Sequence, residues 1–213
     1  MNEKYELTEE FKEIETLREG WLQKIKVYRI RALRAFADVK IGDLGGFVET
    51  KQNLSNMGNA WVYDNAEVYG DAWVRNNAWV CGDARVCGNA EVCGDAKVCN
   101  NARVYGNARV CDNAKVYGNA EVCGDAKVCD NANIFWCSSI GSRHATTTMF
   151  RNKDNGITVT CGCFMGTLEE FAERVEKEHG ENIFGKEYKL LIELAKIHFG
   201  LQDETKGEEE NGI

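Results

Sequence analysis

Between residues 80 and 99 the chain reads VCGDARVCGNAEVCGDAKVC, with a cysteine at every sixth position. Thiols at a fixed interval could build a disulfide ladder or a metal cage. They could also be incidental to a repeat. Cys81, Cys87, Cys93, Cys99, Cys111, Cys123 and Cys129 each directly follow a valine. Tyr63, Tyr69, Arg75, Tyr105, Tyr117 and Phe135 hold the same position in other units. A position that accepts tyrosine and arginine does not require sulfur. These cysteines therefore read as small, mildly apolar residues on an outer wall.

The elements that position them follow from the period. An aliphatic residue recurs every six positions from Val62 to Ile134, and an alanine lies four positions after each valine, from Ala66 to Ala132. The pair before each alanine is drawn only from Gly, Asp and Asn, as in Asp64-Asn65, Gly70-Asp71 and Asn76-Asn77. In the unit V-x-[GND]-[DN]-A-x, x-V-x predicts a short strand with its valine inward and both neighbours outward. The third position can adopt φ > 0 and turn a corner. Asn or Asp at the fourth can hydrogen-bond backbone amides there. Alanine returns to the interior where room is short. One unit is one side of a prism, and stacked coils bury a Val/Ala column. Val48 and Leu54 start the pattern early, and Val62 follows Leu54 by eight, which predicts a two-residue insertion within SNMGNA. The chain has no proline, so its turns fall to Gly, Asn and Asp.

The unit resembles the hexapeptide repeat of left-handed parallel β-helices. Its Gly-Asp/Asn-Ala texture is similar to that of YdcK-like proteins, for which transferase activity is the family expectation. The resemblance covers roughly residues 39–135 and implies three hexads per 18-residue coil, about five coils in all, with neighbours ~4.8 Å apart. The fold class expected is mainly β, a left-handed parallel β-helix with a small α/β C-terminal module. Residues six apart then lie on different faces, and residues 18 apart stack. Glu67–Arg85, Arg103–Glu121 and Glu91–Arg109 would stack as opposite charges, each worth tenths of a kcal/mol. Stacked thiols such as Cys93 and Cys111 come within disulfide range. The N-terminus lacks a signal-peptide apolar core, and no run spans a bilayer. A cytoplasmic protein with mostly reduced thiols is expected.

Residues 1–38 predict a cap with two strands, KYELTE and KVYRIRAL, separated by a charged stretch. Lys24, Lys26, Arg29, Arg31, Arg34 and Lys40 make this segment locally basic, which reads as a solvated face. Trp61, Tyr63, Trp73 and Trp79 gather at the N-terminal end of the prism. They are covered by the N-terminal segment, form a subunit interface or offer a ligand platform.

Residues 136–200 form the C-terminal module. Asp154-Asn155-Gly156 predicts a hairpin turn. GTLEEFAERVEKEHG predicts a helix with Thr167 as N-cap, Glu170 as its capping-box partner and a stripe of Leu168, Phe171, Ala172 and Val175. KEYKLLIELAKIHF predicts a second helix ending near Phe199. Residues 201–213 read as an acidic disordered tail. The module resembles proteins of bacteriophages and prophages of gut bacteria, which implies an accessory or counter-defence role.

Hexapeptide acyltransferases use a histidine base, and γ-type carbonic anhydrases of that fold bind zinc with three histidines. The three histidines here, His144, His179 and His198, all lie outside the coils. His144 is the weak catalytic candidate. Arg143, His144, Thr146, Thr148, Gly166 and Thr167 are the candidate ligand-binding set for a small anion, since free amides open a helix there. Cys161 and Cys163, two apart on a strand, are weak metal candidates, with Cys137 near them. No cofactor is expected. The net charge of -8 argues against nucleic acid. The expected partners are further copies of the chain, as a trimer or dimer, and a host protein or small anionic signal. The sequence thus points to non-catalytic binding or scaffolding, with acyl transfer as the alternative.

Overall fold

The computed structural model describes residues 3–18 and 20–201. The acidic tail expected at 201–213 lies, beyond Leu201, outside the described residues. The chain opens with β1 (Tyr5–Arg18), β2 (Trp21–Ala32) and β3 (Leu44–Val48). Twelve two-residue strands follow: β4 (Trp61–Val62), β5 (Glu67–Val68), β6 (Trp73–Val74), β7 (Trp79–Val80), β8 (Arg85–Val86), β9 (Glu91–Val92), β10 (Lys97–Val98), β11 (Arg103–Val104), β12 (Arg109–Val110), β13 (Lys115–Val116), β14 (Glu121–Val122) and β15 (Lys127–Val128). The C-terminal module holds β16 (Ile134–Ile140), β17 (Ala145–Arg151), β18 (Ile157–Cys161), β19 (Phe164–Thr167), α1 (Leu168–His179) and α2 (Ile183–Phe199).

The short strands stack in parallel into three walls, in the orders β3-β5-β8-β11-β14, β4-β7-β10-β13 and β6-β9-β12-β15. This is a parallel β-solenoid of about five turns. Each wall keeps an 18-residue register, as in Lys97↔Lys115 and Val98↔Val116. Val48 pairs with Val68 and Leu54 with Val74, 20 residues on, because of the insertion in residues 55–60. Every repeat valine from Val62 to Val128 is fully buried, and alanines 66–126 lie with them in one core cluster.

The corners explain the Gly/Asn/Asp composition. Third-position residues from Asp64 to Gly124 all have positive φ, including Asp64 at 53°, Asn76 at 63°, Gly82 at 68° and Asp112 at 55°. This bend turns the chain onto the next wall. The fourth-position residues differ from expectation. Rather than bonding only local amides, they ladder between coils. Asn59 donates to Asn77 (3.2 Å) and Asn77 to Asp95 (3.0 Å); Asn89 donates to Asn107 and Asn107 to Asp125 (both 3.0 Å). An amide can donate to one neighbour while accepting from another, so it propagates a ladder, and a carboxylate terminates it.

The N-terminal cap also differs from expectation. The charged stretch does not separate two strands; it extends both into one long hairpin, paired from Tyr5↔Ala32 to Arg18↔Trp21. Opposite charges across the strands favour this. Glu13 faces Lys26, and Arg29 bonds Glu10 at 2.8 Å. Arg31 pairs with Glu6 and Lys24 with Glu15, so Lys24, Arg29 and Arg31 of the basic cluster find acidic partners within the hairpin. β2 adds antiparallel to β3 and so continues the first wall. Ile14, Ile25 and Val27 then pack over Phe47, Tyr69 and Cys87 on its outer side.

The C-terminal module is an antiparallel sheet β16-β17-β18-β19 with both helices on one face. The capping box of α1 is formed as the sequence implies: Thr167 Oγ1 accepts from Glu170 N (3.2 Å), and Glu170 Oε2 accepts from Thr167 N (2.8 Å). The hairpin turn at 154–156 is also found between β17 and β18.

Glycine at a corner is required only where the next coil approaches. At Gly94 (φ +69°) an added Cβ would lie 2.6 Å from Asp112 N, whereas at Gly124 (φ +63°) it would meet nothing within 4 Å. Gly94→Ala is expected to cost ~2 kcal/mol or more. Gly124→Asn is expected to stay within ~1 kcal/mol of the parent. Urea unfolding midpoints measure both, and equal losses would contradict the corner geometry.

Candidate functional site on the outer walls

The aromatic cluster divides between walls. Trp61 and Trp79 stand in register on one wall, while Trp73 is on the neighbouring one. Trp61 is not an interface residue: it is 1% exposed, with Tyr5 edge-on at 6.2 Å and Phe36 at 5.3 Å. Gly45 makes this burial possible, since a Cβ there would come within 2.8 Å of the indole. Beside it, the fully buried Lys4 donates from Nζ to Ala60 O (2.8 Å). Burial, aided by Arg34, pushes that ammonium down to about 8.

The other three members of the cluster remain at the surface. Tyr63 is half-buried, donates to Asp38 (2.8 Å) and meets Trp79 edge-on at 5.5 Å. Lys97 Nζ sits 4.3 Å above the Trp79 ring. Trp73 is exposed, with the Arg75 guanidinium 4.9 Å from its ring. Cations over indole faces make two separate cation–π patches rather than one platform.

Two of the three expected charge stacks form: Glu67–Arg85 at 3.2 Å and Glu91–Arg109 at 3.4 Å. Arg103 and Glu121 are in register, but the Glu121 carboxylate accepts from Tyr105 Oη at 2.6 Å. Lys12 of the hairpin also reaches Glu67 (3.6 Å), which the hairpin buries.

Six of the ten cysteines are free, and two stacked pairs are bonded. Cys81–Cys99 and Cys111–Cys129 are disulfides, each between residues 18 apart with Cα atoms 4.5 and 4.4 Å apart. The stacking that brings coils to strand spacing sets this distance. Cys93, in the same column as Cys111, is free and buried. Burial pushes the thiols of Cys87, Cys93 and Cys123 up. Cys111, Asp112 and Cys129 bring ligand-type atoms within 4.8 Å of one another, but two of the three are the bonded sulfurs.

The anion-binding set is not brought together. Arg143 and His144 occupy the exposed β16–β17 turn, where His144 has φ 49°. Gly166 and Thr167 pair with Val159 and Thr158 towards the other end of β18, ~10 Å along the strand. Of the amides at that helix start, Thr167 N and Glu170 N are occupied by the chain's own Glu170 and Thr167 side chains. Thr146 bonds Ser138 (2.9 Å). Thr148 is buried and serves the structure. Its Oγ1 accepts from Glu121 N (3.0 Å), while Thr160 Oγ1 donates to Glu121 O (3.3 Å). Together they cap the open edge of β14. The metal candidates separate too. Cys161 ends β18 against Thr147 Oγ1 (3.2 Å), whereas Cys163 lies exposed in the turn beyond Gly162 (φ 60°). Two-residue spacing predicts one strand face for both; the turn at Gly162 prevents it.

Several hollows accompany these surfaces, among them one of about 450 Å³ bordered by Cys163, Met165, Glu170, Glu173, Arg174 and Lys177. A cleft of about 600 Å³ between hairpin and wall is lined by Thr16, Leu17, Gln23, Glu49, Gln52 and Asp71, among others. Among the described residues, the charged ones that line it, Glu49 and Asp71, are acidic. A hollow of about 310 Å³ at the last coil includes Lys127, Arg151 and Lys153. Arg151 is engaged by Phe199 O (2.6 Å) and Lys153 by Asp125 (2.9 Å).

Residues 96–112, spanning β10 to β12, match the family model described as YdcK Beta solenoid repeat. This stretch of the solenoid is similar to the YdcK β-solenoid repeat. No curated protein matches the chain. The YdcK match lies within the coils and speaks to architecture, since one fold hosts many functions. No described helix is long and apolar enough to cross a membrane.

Sequence reasoning misses two exposed apolar groups. Leu17, Trp21 and Leu22 stand 71%, 75% and 68% exposed at the hairpin tip. α2 carries a second such group. Its signal is present: KLLIELAKI is apolar on more than the one face a core can cover.

Two expectations follow. Thr148→Val leaves the Glu121 amide without a partner and should cost ~1–3 kcal/mol in urea unfolding; an unchanged midpoint would remove the edge-capping role. In native protein a maleimide should label Cys163 first, with Cys93 and Cys123 protected until unfolding. Cys81, Cys99, Cys111 and Cys129 should label only after reduction. Peptide mapping checks the order.

Proposed function

We propose that the protein acts by contact rather than catalysis, as a rigid, self-associating β-solenoid scaffold that binds another protein. The observation that carries this reading is the apolar tip of the hairpin, where Leu17, Trp21 and Leu22 are held in solvent on paired strands. Large apolar side chains kept together at a surface are typical of contact sites. The exposed Trp73 with its Arg75 neighbour adds a second element of the same chemistry. Glu49 and Asp71 in the larger cleft, and the engagement of Arg151 and Lys153 in the smaller, support a protein over a small anionic signal. Sequestration of a host protein, which the phage resemblance implies, is the finer form of this reading.

Acyl transfer is the alternative to test against. Acyl-CoA is mixed with the protein and thiol release is followed; release at the uncatalysed rate is expected. Turnover that disappears in His144→Ala would overturn the contact reading. In parallel, an environment-sensitive apolar dye should bind the native protein and lose a large part of its signal with Trp21→Ser/Leu22→Ser, at unchanged melting temperature.

A further inference from the structure

α2 has two apolar faces, and the monomer uses one. Tyr188, Leu191, Ile192, Ala195 and Phe199 are buried against α1 and the sheet. On the other side Ile183, Leu190, Leu194 and Ile197 are 69%, 72%, 51% and 77% exposed, and Leu201 just past the helix is 38% exposed. Positions 183, 187, 190, 194, 197 and 201 alternate steps of four and three, the spacing of a helix–helix seam. Only Glu187 interrupts it, and its carboxylate accepts from Gly141 N (3.0 Å).

We propose that this seam pairs with the same seam of a second copy, as an antiparallel two-fold dimer centred near Leu190. The inference rests on the scaffold reading and names its partner. Three observations select a second copy. Five large aliphatics at these exposures amount to several hundred Å², more than a monomer ordinarily leaves in one strip. Doubled across a two-fold, they approach the ~1,000 Å² at which specific interfaces begin. Charge then sets direction. Lys186 and Glu193 flank the seam on one side, about one turn either side of Leu190, and Glu193 also pairs with Lys196 on its own helix (3.0 Å). Parallel helices would turn this flank of one copy against the opposite flank of the other, so the two charges would not meet. Antiparallel helices place Lys186 beside the second copy's Glu193 and Ile183 beside its Ile197, and an isologous contact repeats both pairings. Finally, residues 202–213 are polar and mostly acidic apart from glycines and Ile213, so they supply no apolar cover for this strip.

The test uses the full chain in sedimentation velocity and light scattering over a range of concentrations. The parent is expected to show the dimer mass. Leu190→Glu/Ile197→Glu should raise the dimer dissociation constant by ~100-fold or more with little change in melting temperature, because both side chains are solvent-exposed in the monomer. Lys186→Glu alone should weaken the dimer, and Lys186→Glu/Glu193→Lys should restore it. A parent that stays monomeric, a dimer that survives Leu190→Glu/Ile197→Glu, or a charge exchange that fails to rescue would each overturn the proposal. None of these results depends on acyl-CoA turnover, so failure of the dimer and failure of the scaffold reading are separable.

Discussion

The structure depends on one repeated constraint: each coil must return to the same place after 18 residues so that its backbone bonds the next. Cys81 N donates to Val98 O and Cys99 N to Val116 O, at 2.9 and 3.0 Å, and this pattern runs along all three walls. The return requires a bend with positive φ at every corner, hence Gly, Asn or Asp there. It also requires inward side chains that fit the prism, hence valine at the wall and alanine beside the corner. A one-residue slip would turn each valine to solvent.

A stack of open coils has two unpaired ends, and much of the remaining chain answers that problem. At the first end, β2 lies against β3, Lys4 satisfies Ala60 O, and Asn53 donates to Gly70 O and Ala72 O at 2.9 and 2.8 Å. At the other, Asn131 accepts from Lys115 N (2.9 Å), and Thr148 and Thr160 close β14. Ile134 and Phe150 seal the apolar column. Residues that look like ligand donors in the sequence are in this way committed to ending a sheet.

What is left over is apolar and exposed. The hairpin tip and the outer seam of α2 belong to elements that the Val/Ala column does not need. Both are held by well-paired backbone, so their exposure is built in rather than a result of fraying. The solenoid between them is a stiff connection, which is what a protein working by contact requires of its centre.

The sequence by itself determined the column, the corners, the 20-residue first turn and the capping box of α1. Each is set by residues within one or two coils of each other, and the six-residue period reports them directly. Only the tertiary structure decided which outward residues are covered. Trp61 and Trp73 occupy the same repeat position, yet one lies under Tyr5 and Phe36 and the other is open. Glu121 has Arg103 in register but bonds Tyr105. Cys111 could stack on Cys93 or Cys129 and bonds the latter. Equivalent repeat positions become different environments through the hairpin and the C-terminal sheet, whose contacts come from residues far away in the chain. Periodicity carries no record of such contacts.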